Sequence, residues 1–186
     1  LILKNNSRPI LFIHVRKNAG GSINAWCRDN LNVLSLTTAD NGYLQKCEIL
    51  DSGQYIIFAV KRNPYTRFVS GWHYLNYYNN TQIDLDTFLE NPLSETAGHP
   101  VGHDWRHSYA TQTEFLYNGG KLSVDYLLSF ENLQEDFNNF KKEINIDGGD
   151  LPVKNKQEYN TTLTGNQRNK IYDYFIEDFK NFGYEK

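Results

Sequence analysis

ILFIHVRKNAGGSI, residues 10–23, is the stretch whose reading decides the fold. An apolar run ends at Val15, a lysine, two glycines and a serine follow, and helix-compatible sequence continues through Ile23, Trp26 and Leu31. That order predicts a strand, a turn and a helix. The strand delivers Lys17 to a fixed point, while Gly20 and Gly21 let the backbone turn with no Cβ obstructing a bound anion. Ser22 is placed to cap a helix whose first free N–H groups and positive dipole end face the same anion. This is a phosphate-binding layout, although the same residues also fit an ordinary strand-turn-helix with a surface lysine.

A second segment, YIIFAVKRNPYTRFVSGWHY at 55–74, repeats the pattern. A buried-looking strand is followed by Arg62, then Asn63 as N-cap and Pro64 at the first helical position. Ser70 lies seven residues beyond Asn63, close to two turns at about 3.6 residues each, so its hydroxyl shares the helix face of the cap. Arg62 and Ser70 can therefore converge on one anion. A guanidinium offers a forked, permanently charged donor set for phosphate, and a hydroxyl adds one hydrogen bond. Arg67 falls on a different face and is expected to make a fold-supporting salt bridge. Neither segment has the order of a P-loop NTPase motif, where the lysine follows the last glycine; here Lys17 precedes Gly20 by three residues.

The rest of the chain reads as one α/β domain over 1–186. Strands are predicted near 10–15, 55–61 and 124–130, with room for short ones near 32–37. Helices are predicted near 21–31, 64–79, 84–90, 108–117, 131–143 and 164–180. Strands alternating with helices imply a parallel sheet, with both anion loops at the carboxyl ends of strands, where such sheets bind ligands. Residues 91–107 and 145–166 read as loops long enough to cover a site.

A hydrophobic content of 39% and a charged content of 22% over 186 residues are those of an ordinary globular protein and argue against disorder. Residues 1–75 carry nine Lys/Arg against four Asp/Glu, whereas 76–186 carry ten against eighteen. The basic part holds both anion loops, and the acidic remainder, without a basic stripe among aromatics, argues against nucleic acid as a partner. Cys27 and Cys47 have neither CxxC nor zinc-ligand spacing and are expected as free thiols. No run of eighteen apolar residues occurs, so the chain as given reads as soluble and cytoplasmic, with Leu1 leaving room for an upstream anchor or leader. Oligomeric state is not encoded in these patterns.

With these motifs in place, the chain resembles the sulfotransferases that use 3′-phosphoadenosine 5′-phosphosulfate (PAPS), in particular the carbohydrate branch that includes heparan 2-O- and chondroitin sulfotransferases. In that family a Pro-Lys-Thr-x-Gly-Thr-Ser-like loop after a strand binds the 5′-phosphosulfate, matching Arg16 to Ser22 here. An Arg-(Asn/Asp)-Pro-x-x-Arg-x-x-Ser segment binds the 3′-phosphate, matching Arg62 to Ser70. Further matches are Gln112 in a region that often reads His-x-x-Pro-Gln, VDYLLSFENLQEDF at 124–137, LPVKN at 151–155 and YDYFIEDFKNFGY at 172–184. Arg16 stands where proline is usual, and Gly21 where Thr or Ser is usual.

The resemblance implies a three-layer P-loop-like α/β fold, a central parallel sheet flanked by helices, and sulfuryl transfer from PAPS to a hydroxyl, most naturally of a carbohydrate, releasing 3′,5′-ADP. It implies a cofactor loop of Arg16, Lys17, Asn18, Ala19, Gly20, Gly21, Ser22 and Ile23, with Arg62 and Ser70 at the 3′-phosphate. Lys17 then stabilises charge on the bridging oxygen and sulfuryl group. An acceptor hydroxyl needs a base within hydrogen-bond reach; His107 is the first choice, with His103, Asp40 and Glu48 as alternatives. His14 is expected as a core imidazole, and His73 as facing either core or cofactor. His99, His103 and His107 recur every four residues, but Gly98, Pro100 and Gly102 argue against the helix a metal site would need, and the mechanism needs no metal. The competing readings are a nucleotide kinase or NTPase and a non-catalytic nucleotide- or glycan-binding module.

Overall fold

The apolar runs at Ile10–Ile13 and Ile57–Val60 become neighbouring parallel strands, and consecutive residues of both are buried. Burial on both faces is the usual state of parallel strands and explains why these runs are continuously apolar rather than alternating. The computed structural model describes residues 2–4, 9–30, 53, 55–90, 106–154 and 162–186. The strands expected near 32–37, together with Asp40, Cys47, Glu48, His99 and His103, lie outside the described residues. Contacts gather the chain into two compact units, residues 1–61 with 114–156 and residues 62–113 with 157–186.

The first unit carries a four-stranded sheet. Its strands are β1 (Ile2–Lys4), β2 (Pro9–Ile13), β3 (Ile56–Lys61) and β6 (Tyr126–Ser129), in the order β1-β2-β3-β6. β2, β3 and β6 are parallel, as expected, with Phe12 beside Phe58 and Phe58 beside Tyr126. The edge strand β1, not among the predicted strands, runs antiparallel to β2. A hairpin of β4 (Tyr117–Asn118) and β5 (Lys121–Leu122), turning through Gly119 and Gly120 at positive φ, was also not foreseen.

Helices α1 (Gly20–Asn30) and α6 (Leu133–Glu143) contribute to the core of this unit. Ile10, Phe12, Phe58, Val60 and Leu128, spaced by two along their strands, meet Ile23, Trp26 and Cys27 of α1 and Phe137 and Phe140 of α6. Phe58 stacks on Phe12 at 4.9 Å and on Phe140 at 4.5 Å. Each such side chain contributes about 1.5–3 kcal/mol on burial. Cys27 is a free thiol within this core, and burial pushes its pKa up to about 12, so it packs rather than reacts. Residues 146–154 are loop, as expected, and are tied to this unit at Gly148 and Gly149. Trp26 Nε1 donates to Gly149 O at 2.7 Å, and Lys141 Nζ donates to the carbonyls of Gly148 and Gly149 at 2.9 and 2.8 Å.

The second unit is helical. It comprises α2 (Pro64–Tyr78), α3 (Leu85–Glu90), α4 (Arg106–Tyr109), α7 (Gly165–Tyr174) and α8 (Ile176–Phe182). Helix α5 (Gln112–Leu116) begins in this unit. Tyr65, Phe68 and Leu75 of α2 pack with Leu85, Phe88, Tyr109, Ile171, Phe175 and Phe179. Gly71 lets α2 and α4 approach, since a Cβ there would lie 2.4 Å from His107 O. A Thr164–Gln167 capping box starts α7, and Gly183 at φ +70° ends α8.

The helix predicted over 108–117 is two helices, and its break has a tertiary cause. The fully buried Arg67 donates to the carbonyls of Ser108 and Ala110, which a continuous helix would have used internally. Arg67 thus supports the fold, as expected, and these two carbonyls are among its partners. The helix predicted over 164–180 likewise divides at Phe175, whose φ of −103° and ψ of 22° leave the α region, and it runs on to Phe182. No described helix is long and apolar enough to cross a membrane.

Candidate functional site

Residues 14–19 carry the chain from β2 to α1. Asn18 N–H donates to Val15 O at 3.2 Å, closing a four-residue turn with Lys17 in third place at φ +66°. That place requires left-handed backbone and usually falls to Gly or Asn. Ala19 is left-handed too, at φ +60°. Gly20 and Gly21, expected to make the turn, are instead the first two residues of α1. Gly20 is small for another reason: a Cβ there would stand 1.9 Å from Nε2 of His14, whose ring stacks on Phe12 at 5.7 Å. His14 itself follows β2 and is half-buried.

Left-handed backbone at a non-glycine residue costs about 1–2 kcal/mol, and it persists where surrounding structure over-determines it, commonly at ligand-binding sites. Between the two strained residues sits Asn18, fully buried, whose Nδ2 donates to Val60 O of β3 at 2.6 Å. This bond ties the turn to the sheet and holds Lys17, half-buried, at its tip. Arg16 is buried beside it, and Ile23 belongs to the core.

Ser22 does not cap the helix, because the left-handed turn at Ala19 starts α1 earlier. Ala19 O accepts from Ser22 N–H at 3.0 Å and from Ile23 N–H at 3.1 Å, and the Ser22 hydroxyl accepts from Lys154 N–H at 3.3 Å. The amides of Gly20 and Gly21 are the ones left without an acceptor inside the helix. They lie at its positive dipole end.

The second loop follows β3 and matches its prediction closely. Asn63 caps α2 by accepting from Tyr65 N–H at 3.0 Å, with Pro64 at the first helical position. Arg62 Nε donates to Thr66 Oγ1 at 3.1 Å, and Thr66 in turn donates to Asn63 O at 3.2 Å. Ser70, buried, stands one turn beyond Thr66. Thr66 and Ser70, four residues apart, thus share a face of α2, and Arg62 reaches Thr66 from the preceding loop. Thr66 is a residue that sequence reasoning missed, although its spacing was readable.

Hydrogen bonds link Arg62 to Gln112 and, through it, to Asp178. The carboxamide of Gln112 accepts from Arg62 N–H and donates to Arg62 O, both at 2.8 Å. Asp178 accepts from Gln112 N–H at 2.8 Å, from Thr113 N–H at 2.8 Å and from the Thr113 hydroxyl at 2.7 Å. Gln112 and Asp178 are both fully buried. The sequence offered no sign of the Asp178 contact.

His107 is the second residue of α4, is 9% exposed and stacks on Tyr74 at 4.5 Å. His73 packs beside Trp72, and burial lowers its pKa, which favours the neutral ring. Lys17 to Ile23 fall in the first unit, and Arg62, Ser70 and His107 in the second.

Neither a curated protein nor a solved structure matches the chain. The pattern of a lysine turn after one strand and a capped arginine loop after the next is accompanied by a match to the Sulfotransferase family over residues 2–185. With nearly its whole length matched, the chain belongs to that family.

Proposed function

We propose that this chain is a PAPS-dependent sulfotransferase acting on a hydroxyl of a carbohydrate acceptor, built as one three-layer P-loop-like domain over 1–186. Membership of the family supports sulfotransferase-type activity, general use of PAPS and a hydroxyl-bearing acceptor. The observation that carries the reading to particular residues is the left-handed turn that holds Lys17 just before the free amides of α1.

The donor set suits a nucleotide with phosphate at two positions. Gly20 and Gly21 amides, with the positive end of α1, hold the 5′-phosphate inside the loop from Arg16 to Ile23. Arg62 and Ser70 hold the 3′-phosphate. When bound, PAPS supplies the sulfuryl group, and 3′,5′-ADP remains after transfer. Lys17 places its ammonium where negative charge develops on the departing oxygen. His107 takes the proton of the acceptor hydroxyl.

The test is a pair of equilibrium titrations. Arg62→Ala should weaken 3′,5′-ADP by about 1.5–3 kcal/mol, the range for a charge-assisted hydrogen bond, and should hardly affect adenosine 5′-phosphosulfate, which lacks the 3′-phosphate. Equal losses for both ligands would remove Arg62 from the 3′ site. Magnesium-dependent ATP binding in place of 3′,5′-ADP binding would favour a kinase.

A further inference from the structure

We infer that Gln112 and Asp178 are positioning residues for the 3′-phosphate contact, acting through the main chain of Arg62; this rests on the assignment of Arg62 above. Arg62 lies one residue past the end of β3 at Lys61. Its N–H and C=O lie past the last paired residue of the strand, and Gln112 bonds to both at once, each at 2.8 Å. A carboxamide that bonds both groups of one residue fixes that peptide's orientation as a neighbouring strand would. The direction in which the Arg62 side chain leaves the backbone is set with it.

Gln112 is itself fixed. Its own N–H and that of Thr113, the first two amides of α5, both end on Asp178, so a carboxylate closes the helix start and meets its dipole. A buried carboxylate is costly unless hydrogen bonds satisfy it. Asp178 accepts three, and Asn181 adds a bond to the Thr113 hydroxyl at 3.2 Å. The two aspartate contacts span 66 and 65 residues of sequence. The chain thus runs from α8 through Gln112 to one residue, and that residue is the proposed phosphate ligand.

A merely structural network would stabilise the fold without favouring one ligand over another. The experiment is titration of 3′,5′-ADP and adenosine 5′-phosphosulfate against wild type, Gln112→Ala, Asp178→Asn, Arg62→Ala and the Gln112→Ala/Arg62→Ala double variant. Gln112→Ala should weaken 3′,5′-ADP about tenfold, as for one lost hydrogen-bonded constraint, with adenosine 5′-phosphosulfate nearly unchanged. Asp178→Asn should shift the same ratio in the same direction. In the Arg62→Ala background Gln112→Ala should have no further effect, the non-additivity expected of residues acting through one contact. Should Gln112→Ala fail to fold, Gln112→Glu keeps the shape and the acceptor for Arg62 N–H, loses the donor, and should show the same selective loss.

Equal loss of both ligands, or a full Gln112 effect persisting without the Arg62 side chain, would overturn the inference while leaving the Arg62 assignment standing. An Arg62→Ala variant that binds 3′,5′-ADP normally would overturn both.

Discussion

The two loops proposed to bind phosphate follow parallel strands that are neighbours in one sheet, yet they are held in opposite ways. The turn at 14–19 is strained, with Lys17 and Ala19 left-handed and a buried Asn18 between them bonded to Val60. The loop at 62–66 is relaxed: Asn63 caps, Pro64 starts the helix, and Thr66 receives the Arg62 side chain. The first stores energy where the proposed chemistry occurs. The second has no left-handed residue and is bonded through Arg62 to Gln112, which is held in turn by Asp178. Such a difference fits a division of labour in which one loop stabilises charge that develops during reaction, while the other binds a group that does not react.

The largest expected effect lies outside both loops and tests whether proton removal is separate from them. If His107 is the base, turnover rises with pH through an apparent pKa in the neutral region, because only the neutral ring accepts a proton. His107→Ala should flatten that limb and lower turnover by about 10² to 10⁴, with cofactor affinity retained. A variant that keeps both rate and profile would move the role to Asp40, Glu48 or His103.

Next comes Lys17, where charge and backbone strain can be separated. Lys17→Ala and Lys17→Gly should both reduce turnover by about 10² to 10³, the span for loss of one donor to a developing oxyanion, with a much smaller change in 3′,5′-ADP affinity. In thermal or urea unfolding, Lys17→Gly should exceed Lys17→Ala in stability by roughly 1 kcal/mol, because glycine adopts φ +66° freely. Equal stabilities would mean that the strain is absent. Unchanged turnover in both would take Lys17 out of the chemistry.

This contrast also marks what could be read without coordinates. The second loop was legible in its cap and helix start because those determinants are local, Asn63, Pro64 and Thr66 lying within one helical turn, whereas its bonds to Gln112 span 50 residues. The first was legible as strand, turn and helix but not in detail, since the turn expected at Gly20 and Gly21 falls at Lys17 and Ala19. What keeps Gly20 free of a side chain is the His14 ring, a packing contact that no propensity encodes. Asp178 was hidden for a similar reason, its partners lying 65 and 66 residues away. The same distance effect broke the helix expected over 108–117, where Arg67 took the carbonyls that helical periodicity assigns to the helix itself.

Gly20 offers a smaller and more mechanical test of that point. Gly20→Ala places a methyl group against the His14 imidazole and should destabilise the protein by about 1–3 kcal/mol, as overpacking does. Adding His14→Ala should recover most of the loss in melting temperature. If Gly20→Ala melts like wild type, or if the second substitution rescues nothing, the glycine serves the turn or the ligand instead.

The smallest expected effect belongs to the relaxed loop, where stability and binding should come apart cleanly. Asn63→Ala removes the acceptor for Tyr65 N–H and should cost about 1 kcal/mol, the usual loss for an N-cap. Asn63→Asp keeps the acceptor and adds a negative charge that the helix dipole favours, so its melting temperature should stay at or above that of wild type. That same charge stands beside Arg62 and would oppose a phosphate bound there. Asn63→Asp should therefore weaken 3′,5′-ADP while leaving adenosine 5′-phosphosulfate nearly unaffected, more strongly at low salt than at high salt. An aspartate variant that binds 3′,5′-ADP as tightly as wild type would place the 3′-phosphate away from the cap of α2, and the likeness between the two loops would then stop at their position after parallel strands.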